Sequence, residues 1–381
     1  NIRQYGEGDR KALLEDLAPY DVVVISYGLM TQDIDELAEL PFSSCILDEA
    51  QAIKNASTKR AKAVLRLKAE CRVVTTGTPI ENHLGDIWSQ MTFLNPGLLG
   101  SSGKFRERFA RPIQRDGDAK AAAHLKRILR PFILRRTKSE VLDELPAKTE
   151  STLRIEADEK HAALYETIRL QAIESLKGGA KGKQRMRFLA ELMRLRRVAC
   201  HPRLVLDDSS IISAKMETLL ELVADLREGG HKALVFSQFV DHLSLVREEL
   251  DSAKISYQYL DGSTSTKKRS QAISAFQRGE GDLFLISLRA GGFGLNLTAA
   301  DYVIHLDPWW NPATEDQATD RAHRIGQTRP VTIYKLVMAG TIEEKVLSMH
   351  GRKRELAAEI LAGSNTSTPL SVEELRGLLD H

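Results

Sequence analysis
The chain has 381 residues, enough for two or three domains, and its 42% hydrophobic content is ordinary for a globular protein with sizeable cores. Lys and Arg number 54 against 52 Asp and Glu, so the chain as a whole is no polycation. No apolar run approaches the ~20 residues of a membrane-spanning helix, and no membrane partner is expected.

In chain order, residues 1–95 alternate apolar runs with helical stretches. Val22–Ser26, Ser44–Leu47 and Arg72–Thr76 read as parallel, buried strands. Cys45 and Cys71 fall in these runs and read as small core residues. With Cys200 they show no CxxC spacing, which fits a reducing compartment and argues against zinc. Residues 96–207 read as mainly helical, with no convincing series of parallel strands. Within them, residues 104–138 carry twelve Lys and Arg against three carboxylates, enough to neutralise nucleic-acid phosphates or simply to solvate a helical surface. Residues 208–340 return to a βα rhythm, with strands expected at Lys232–Ser237, Ser256–Leu260, Asp282–Ser287, Tyr302–Leu306 and Val331–Val337. Residues 341–381 read as a charged amphipathic helix, a Ser- and Thr-rich tail from Gly363, and a short helix capped near Ser371. The expected class is therefore α/β with parallel sheets and a mainly α-helical insertion.

Two segments stand out chemically. Gln317, Arg321 and Arg324 have the spacing i, i+4, i+7, which puts them on one face if the stretch is a helix. Two guanidiniums so aligned can grip phosphate, because Arg is always charged and presents a planar fork of donors; the alternative is a solvated helix face. Asp48-Glu49-Ala50-Gln51 closes the apolar run Cys45-Ile46-Leu47. Open α/β sheets bind ligands at the carboxyl ends of their strands, where an Asp can hold Mg²⁺ and a Glu can orient water. The alternative there is a helix N-terminus.

Five segments then carry a resemblance to the Snf2-type branch of superfamily-2 helicase-like ATPases, which are double-stranded DNA translocases. They are Asp48–Asn55 (DEAQAIKN), Thr75–Asn82 (TTGTPIEN), Leu234–Phe239 (LVFSQF), Ser287–Thr298 (SLRAGGFGLNLT) and Asp307–Gln327 (DPWWNPATEDQATDRAHRIGQ). They occur in the family's order over some 280 residues, and the last two are the most specific. DEAQ and DPWWNPA look more like bacterial members.

The resemblance implies two RecA-like lobes, the first incomplete and the second complete, with ATP and Mg²⁺ as cofactors and double-stranded DNA as partner. Residues 1–95 would be the back half of lobe 1, 96–207 the helical insertion, 208–340 lobe 2, and 341–381 a C-terminal helix and tail. Asp48 would hold Mg²⁺ through water, Glu49 would position the attacking water, and Arg321 and Arg324 would act as arginine fingers. Gln51, Thr76, Gly77, Thr78, Gly292, Gly294 and Gln317 would bind nucleotide or couple hydrolysis to movement. Asp261, Gly262, Ser263, Lys267, Arg289, Asn296 and Trp310 would meet DNA. For Arg135 and Arg136, packing and DNA contact are both open.

A phosphate-binding loop GxxxxGK[ST] is expected roughly a hundred residues before Asp48, yet only 47 residues precede it. The decoy Gly178–Gln184 has the wrong spacing and ends in Gln, so it reads as a flexible basic loop. The expectation is a C-terminal portion of a longer ATPase that is inactive alone. Two alternatives are a non-catalytic DNA-binding module and an RNA or single-strand helicase. DNA-bound protein cargo is expected but not specified. A bacterial source, the one favoured, would place the protein in cytoplasm and nucleoid; a eukaryotic source would place it in the nucleus.

Overall fold
A computed structural model describes residues 1–6, 8–77, 84–134, 136, 138–142, 144–175, 181–288, 290 and 295–350. These fall into two compact units, Asn1–Ile133 and, from Leu134 onward, the rest of the described chain. The segment 96–207 is thus shared between them.

The first unit holds four strands in two parallel pairs. β1 (Ile2–Tyr5) pairs with β2 (Val22–Ile25), and β3 (Pro41–Leu47) pairs with β4 (Lys68–Val74). Leu47 lies opposite Val74, so the segments that follow the two strands, 48–51 and 75–77, leave the pair side by side. A core of Tyr5, Leu37, Ala50, Ile53, Val64 and Phe93 forms on one side. The strands exist where the apolar runs placed them, but they are not fully buried. Val22 and Val24 are more than half exposed, as is Ile46, and Cys71 is exposed as well. Side chains alternate across a strand, and the core of this unit takes up only one face of each pair. A second, all-helical core gathers Ile87 and Met91 of α1 (Gly85–Leu94) with Phe105, Phe109 and Leu125, the last on α2 (Ala119–Leu129).

The second unit is built on one parallel sheet in the order β5-β10-β9-β6-β8-β7. The strands are β5 (Lys148–Ile155), β6 (Ala233–Ser237), β7 (Tyr257–Leu260), β8 (Leu283–Ser287), β9 (Tyr302–His305) and β10 (Val331–Met338). Every residue of β6 and β8 is buried, and alternate residues feed two cores. Val235, Leu285 and Ile304 face one; Phe236, Phe284 and Val303 face the other. Each such aliphatic or aromatic side chain contributes about 1.5–3 kcal/mol by leaving water. The packing helices include α3 (Glu159–Ser175), α4 (Lys181–Cys200), α5 (Ala214–Glu228), α6 (Val240–Ser252), α7 (Thr266–Gln277) and α8 (Pro312–Thr319). In α5, Met216, Leu219, Val223 and Leu226 form the buried stripe, and Ser213 caps the first turn by accepting from Met216 N. β5 is a strand inside the segment read as helical. It pairs with β10 over eight residues and forms the sheet edge. Its pattern of Lys, Thr, Glu and Ser with only Leu153 and Ile155 turned to the core is what an edge strand tolerates.

Candidate functional site
In the first unit, Asp48 and Glu49 stand at the carboxyl end of β3, beside Thr75 and Thr76 at the end of β4. Thr75 Oγ1 donates to Asp48 Oδ1 at 2.6 Å, and Glu49 N donates to the same oxygen at 3.0 Å. Tyr27 Oη donates to Asp48 O at 2.9 Å; burial pushes the Tyr27 hydroxyl up to about 12, with the charge of Asp48 adding to the effect. A second chain of bonds runs from Thr76 Oγ1 to Gln51 Oε1 (3.0 Å) and from Gln51 Nε2 to Glu49 Oε2 (2.7 Å). The DEAQ and TTGTP segments are therefore tied by side chains, with Gln51 as the middle member. Glu49 sits at φ 50°, a left-handed conformation costing a non-glycine residue about 1–3 kcal/mol. That turn aims two adjacent carboxylates away from the strand, and Asp48 remains exposed. Gly77 is exposed beyond them; Thr78, with Glu81 and Asn82, lies outside the described residues.

In the second unit, the proposed row Gln317, Arg321 and Arg324 is not one helix face. α8 starts at Pro312, capped by Asn311, and ends at Thr319, so only Gln317 is helical. Past the helix end the carbonyls find other donors, one from another segment and one from the side chain of Gln327 a few residues on. Leu297 N donates to Arg321 O at 3.0 Å, and Gln327 Nε2 lies 3.1 Å from Ala322 O. The chain then turns tightly through Gly326, at φ 96°. Arg321 is buried, whereas Arg324 is exposed on the turn. Gln327 organises this region and was not among the expected site residues. Its Nε2 also reaches Ala300 O (2.7 Å) and Thr298 O (3.2 Å), and its Oε1 accepts from Thr328 N and Arg329 N. Lys138 joins the turn from outside, at 2.7 Å from Asp320 and donating to His323 O at 2.9 Å.

Asp261 follows β7, and its carboxylate is used inside its own turn. It accepts from Ser263 N, Ser263 Oγ, Thr264 Oγ1 and Tyr259 Oη. Burial alone pushes this carboxyl up, but the hydrogen bonds outweigh it and hold it below its ordinary value. The turn leaves Gly262, Ser263, Lys267 and Lys268 exposed at the start of α7, which Ser265 caps. A helix N-terminus with free amides and nearby lysines favours an anion. Arg269 instead turns back to donate to Ala290 O. Asn296 is exposed, and its carbonyl accepts from Gln277 Nε2. Arg136 is exposed in the linking segment; Arg135, Arg289, Gly291, Gly292 and Gly294 lie outside the described residues. In the first unit, Arg106, Arg108, Arg111, Arg115, Arg127 and Arg130 of the basic run are all exposed.

The segment after β9 carries Trp309 and Trp310, each half-buried and packed on opposite cores of the sheet. Beneath it lie buried polar side chains that patterning did not single out. Lys215 and Glu343 form an ion pair at 2.7 Å, both 1% exposed. Burial alone would lower the Lys215 ammonium, but the Glu343 charge outweighs it and the net direction is up. Asp307 accepts from Ser237 Oγ and from Gln238 N; burial pushes it up to about 6 against the pull of Arg196 and of these bonds. Cys200, His242 and Asp307 place possible ligand atoms within 4.8 Å of one another. The same cluster already contains the Lys215 ammonium and the Arg196 guanidinium, so a divalent ion would add uncompensated positive charge to a buried space. These two cations argue against a metal ion there and leave the group a buried polar network.

The SNF2-related domain model matches residues 6–204, and the Helicase conserved C-terminal domain model matches residues 214–326. YwqA of Bacillus subtilis, which carries the name of an ATP-dependent helicase/translocase, is 39% identical over 97% of this chain and 42% of its own length. An ATP-dependent helicase of Mycoplasma pneumoniae is 36% identical over 98% of this chain and 36% of its own. The chain thus spans less than half of these relatives. Among solved structures, the Sulfolobus solfataricus SWI2/SNF2 ATPase core in complex with double-stranded DNA is 38% identical with a TM-score of 0.53. That match covers 100% of this chain and 81% of the other. With its RecA-like α/β sheet and these matches, the chain belongs to the Snf2 family of helicase-like ATPases.

Proposed function
We propose that the protein is an ATP-driven translocase on double-stranded DNA that remodels DNA-bound proteins, with this chain carrying part of lobe 1 and the whole of lobe 2. The observation that carries this reading is the side-chain chain Thr76–Gln51–Glu49 next to the exposed Asp48. It gives Glu49 a fixed orientation beside an anchored but solvent-exposed Asp48, which suits a water-positioning base beside a metal-holding acid.

Mg²⁺ prefers oxygen ligands and retains waters, and Asp48, an exposed carboxylate anchored by a hydroxyl and an amide, fits that demand. When bound, the ion neutralises phosphate charge. Glu49 orients the attacking water, and its bond from Gln51 makes that orientation sensitive to Thr76. Arg324, exposed on its turn, supplies positive charge to the transferring phosphoryl group, a role worth about 10³–10⁵ in rate elsewhere. Arg321, which is buried, serves as the second finger beside it. Gly262, Ser263, Lys267 and Lys268 hold backbone phosphate at the α7 N-terminus, and Arg136 and Trp310 add contacts. Such contacts carry little sequence information, so movement is sequence-independent.

None of the 381 residues reads as a GxxxxGK[ST] loop, so the isolated chain binds duplex without turning over ATP. The test is ATP hydrolysis by the full-length protein with duplex DNA, single strands and RNA, beside Arg324→Ala. Duplex-specific stimulation that drops by about 10³ or more in the variant is expected. Equal stimulation by RNA, or an unaffected variant, would sink the reading.

A further inference from the structure
We propose that Arg196 is a positioning residue that sets the orientation of the 306–310 turn and, through it, the surface that Trp310 offers to duplex DNA. The proposal rests on the reading above that Trp310 meets duplex.

Five consecutive residues of this turn are each gripped by a side chain from elsewhere. Leu306 O accepts from Lys215 Nζ at 2.9 Å. The Asp307 carboxylate accepts from Ser237 Oγ and Gln238 N. Pro308 O accepts from Arg196 Nη2. Trp309 N donates to Glu315 Oε1 at 2.7 Å, and Trp309 O is bonded to His350 Nε2. The Arg196 guanidinium lies 5.1 Å from the Trp310 ring centroid and 5.7 Å from that of Phe239. The gripping groups come from α4, α5, the end of β6, α8 and the chain near His350, and a second tier holds them in turn. Glu343 fixes Lys215, and Lys335 lies 3.2 Å from Glu315.

A surface turn needs none of this, because water satisfies its carbonyls. Burying charged groups to hold it is a poor route to stability and a good route to one fixed geometry. Arg196 makes the case most directly. It is 1% exposed, yet its Nε and Nη1 have no hydrogen-bond partner and only Nη2 bonds, to the turn. Its remaining neighbours are two rings, one of them the half-buried Trp310, and the Asp307 carboxylate of the same turn, whose charge it favours. A guanidinium that bonds one carbonyl of the turn and faces both its carboxylate and its indole fixes where that indole points.

The test uses this chain with Trp88→Phe, so that Trp309 and Trp310 are its only tryptophans and selective tryptophan excitation reads them alone. Arg196→Met, Trp310→Ala and their double variant are compared for binding to a labelled blunt duplex and, where Trp310 is retained, for acrylamide quenching without DNA. We expect Arg196→Met to weaken duplex binding about tenfold. The double variant should lose no more than Trp310→Ala alone, and quenching should rise in Arg196→Met. Multiplying losses in the double variant, or unchanged quenching, would overturn the proposal. If Arg196→Met fails to fold by circular dichroism, Arg196→Lys, which keeps the charge but not the planar fork, decides by the same two readouts. A parent chain that does not bind duplex would defeat the reading of function, while the quenching comparison would still judge the positioning role.

Discussion

In the first unit, Asp48 and Glu49 are held by a threonine, a glutamine and a backbone amide, on a strand pair that leaves Asp48 exposed. In the second, the turn after β9 is held by Lys215, Arg196, Glu315 and His350, all buried, with Glu343 behind them. Neutral partners orient a carboxylate without consuming its charge, so the first arrangement keeps that charge for a ligand. The charges of the second are buried against one another and against the turn, away from solvent, so they serve to fix shape. The contrast separates groups built to react from groups built to aim.

The sharpest way to break the contrast is Lys215→Met. It leaves Glu343 buried and uncompensated, and unfolding free energy should fall by about 3–5 kcal/mol, measured by urea titration. Adding Glu343→Leu should restore much of the loss; no recovery would mean that the pair does more than neutralise itself. A smaller effect is expected from pH. Asp307 is raised from its ordinary 3.8 to about 6 in the folded state. The folded chain therefore binds the proton more tightly than the unfolded one. Its contribution is present below the unfolded value and is lost as pH rises through the folded value, so stability should decline across that window. Asp307→Asn should flatten this slope in urea midpoints taken across the same range. The smallest stability effect is expected in the first unit. Thr76→Val removes a bond at a partly exposed position, and the unfolding free energy should move by no more than about 0.5 kcal/mol. ATP turnover by the full-length protein should nevertheless fall. A large drop in stability with turnover intact would reverse the assignment of roles.

The sheet of the second unit was legible because β6, β8, β9 and β10 are apolar runs bounded by turn residues, and burial on both faces demands that composition. β5 was not legible. Two of its eight residues face the core, and its partner lies far along the chain, where local pattern does not reach. The end of α8 was missed for a related reason. The sequence continues with helical spacing, and Leu297 from another segment and the side chain of Gln327, five residues on, divert the carbonyls of Arg321 and Ala322. The buried ions were hidden by their type, since Arg, Lys and Glu are rarely fully buried unless paired. One signal was available. Arg196 stands between Leu192 and Cys200, and Lys215 precedes Leu219 and Val223, at intervals of four on buried helix faces. A charge placed on an apolar stripe needs a partner. For the carboxylates the sequence supplied position and type, but not that Gln51 is what joins Glu49 to Thr76.

The placement of β10 has a consequence for how the protein is made. It lies between β9 and β5, so it joins a strand that leaves the ribosome about thirty residues earlier to one that leaves well over a hundred residues earlier. Until Val331–Met338 has been synthesised, β9 and β5 each present an open edge to the cell. Completion of the sheet waits for nearly the last segment of the unit, and pairings of such long range are slow to form. A nascent chain stalled before residue 331 should therefore be the form that most needs a chaperone and most readily aggregates.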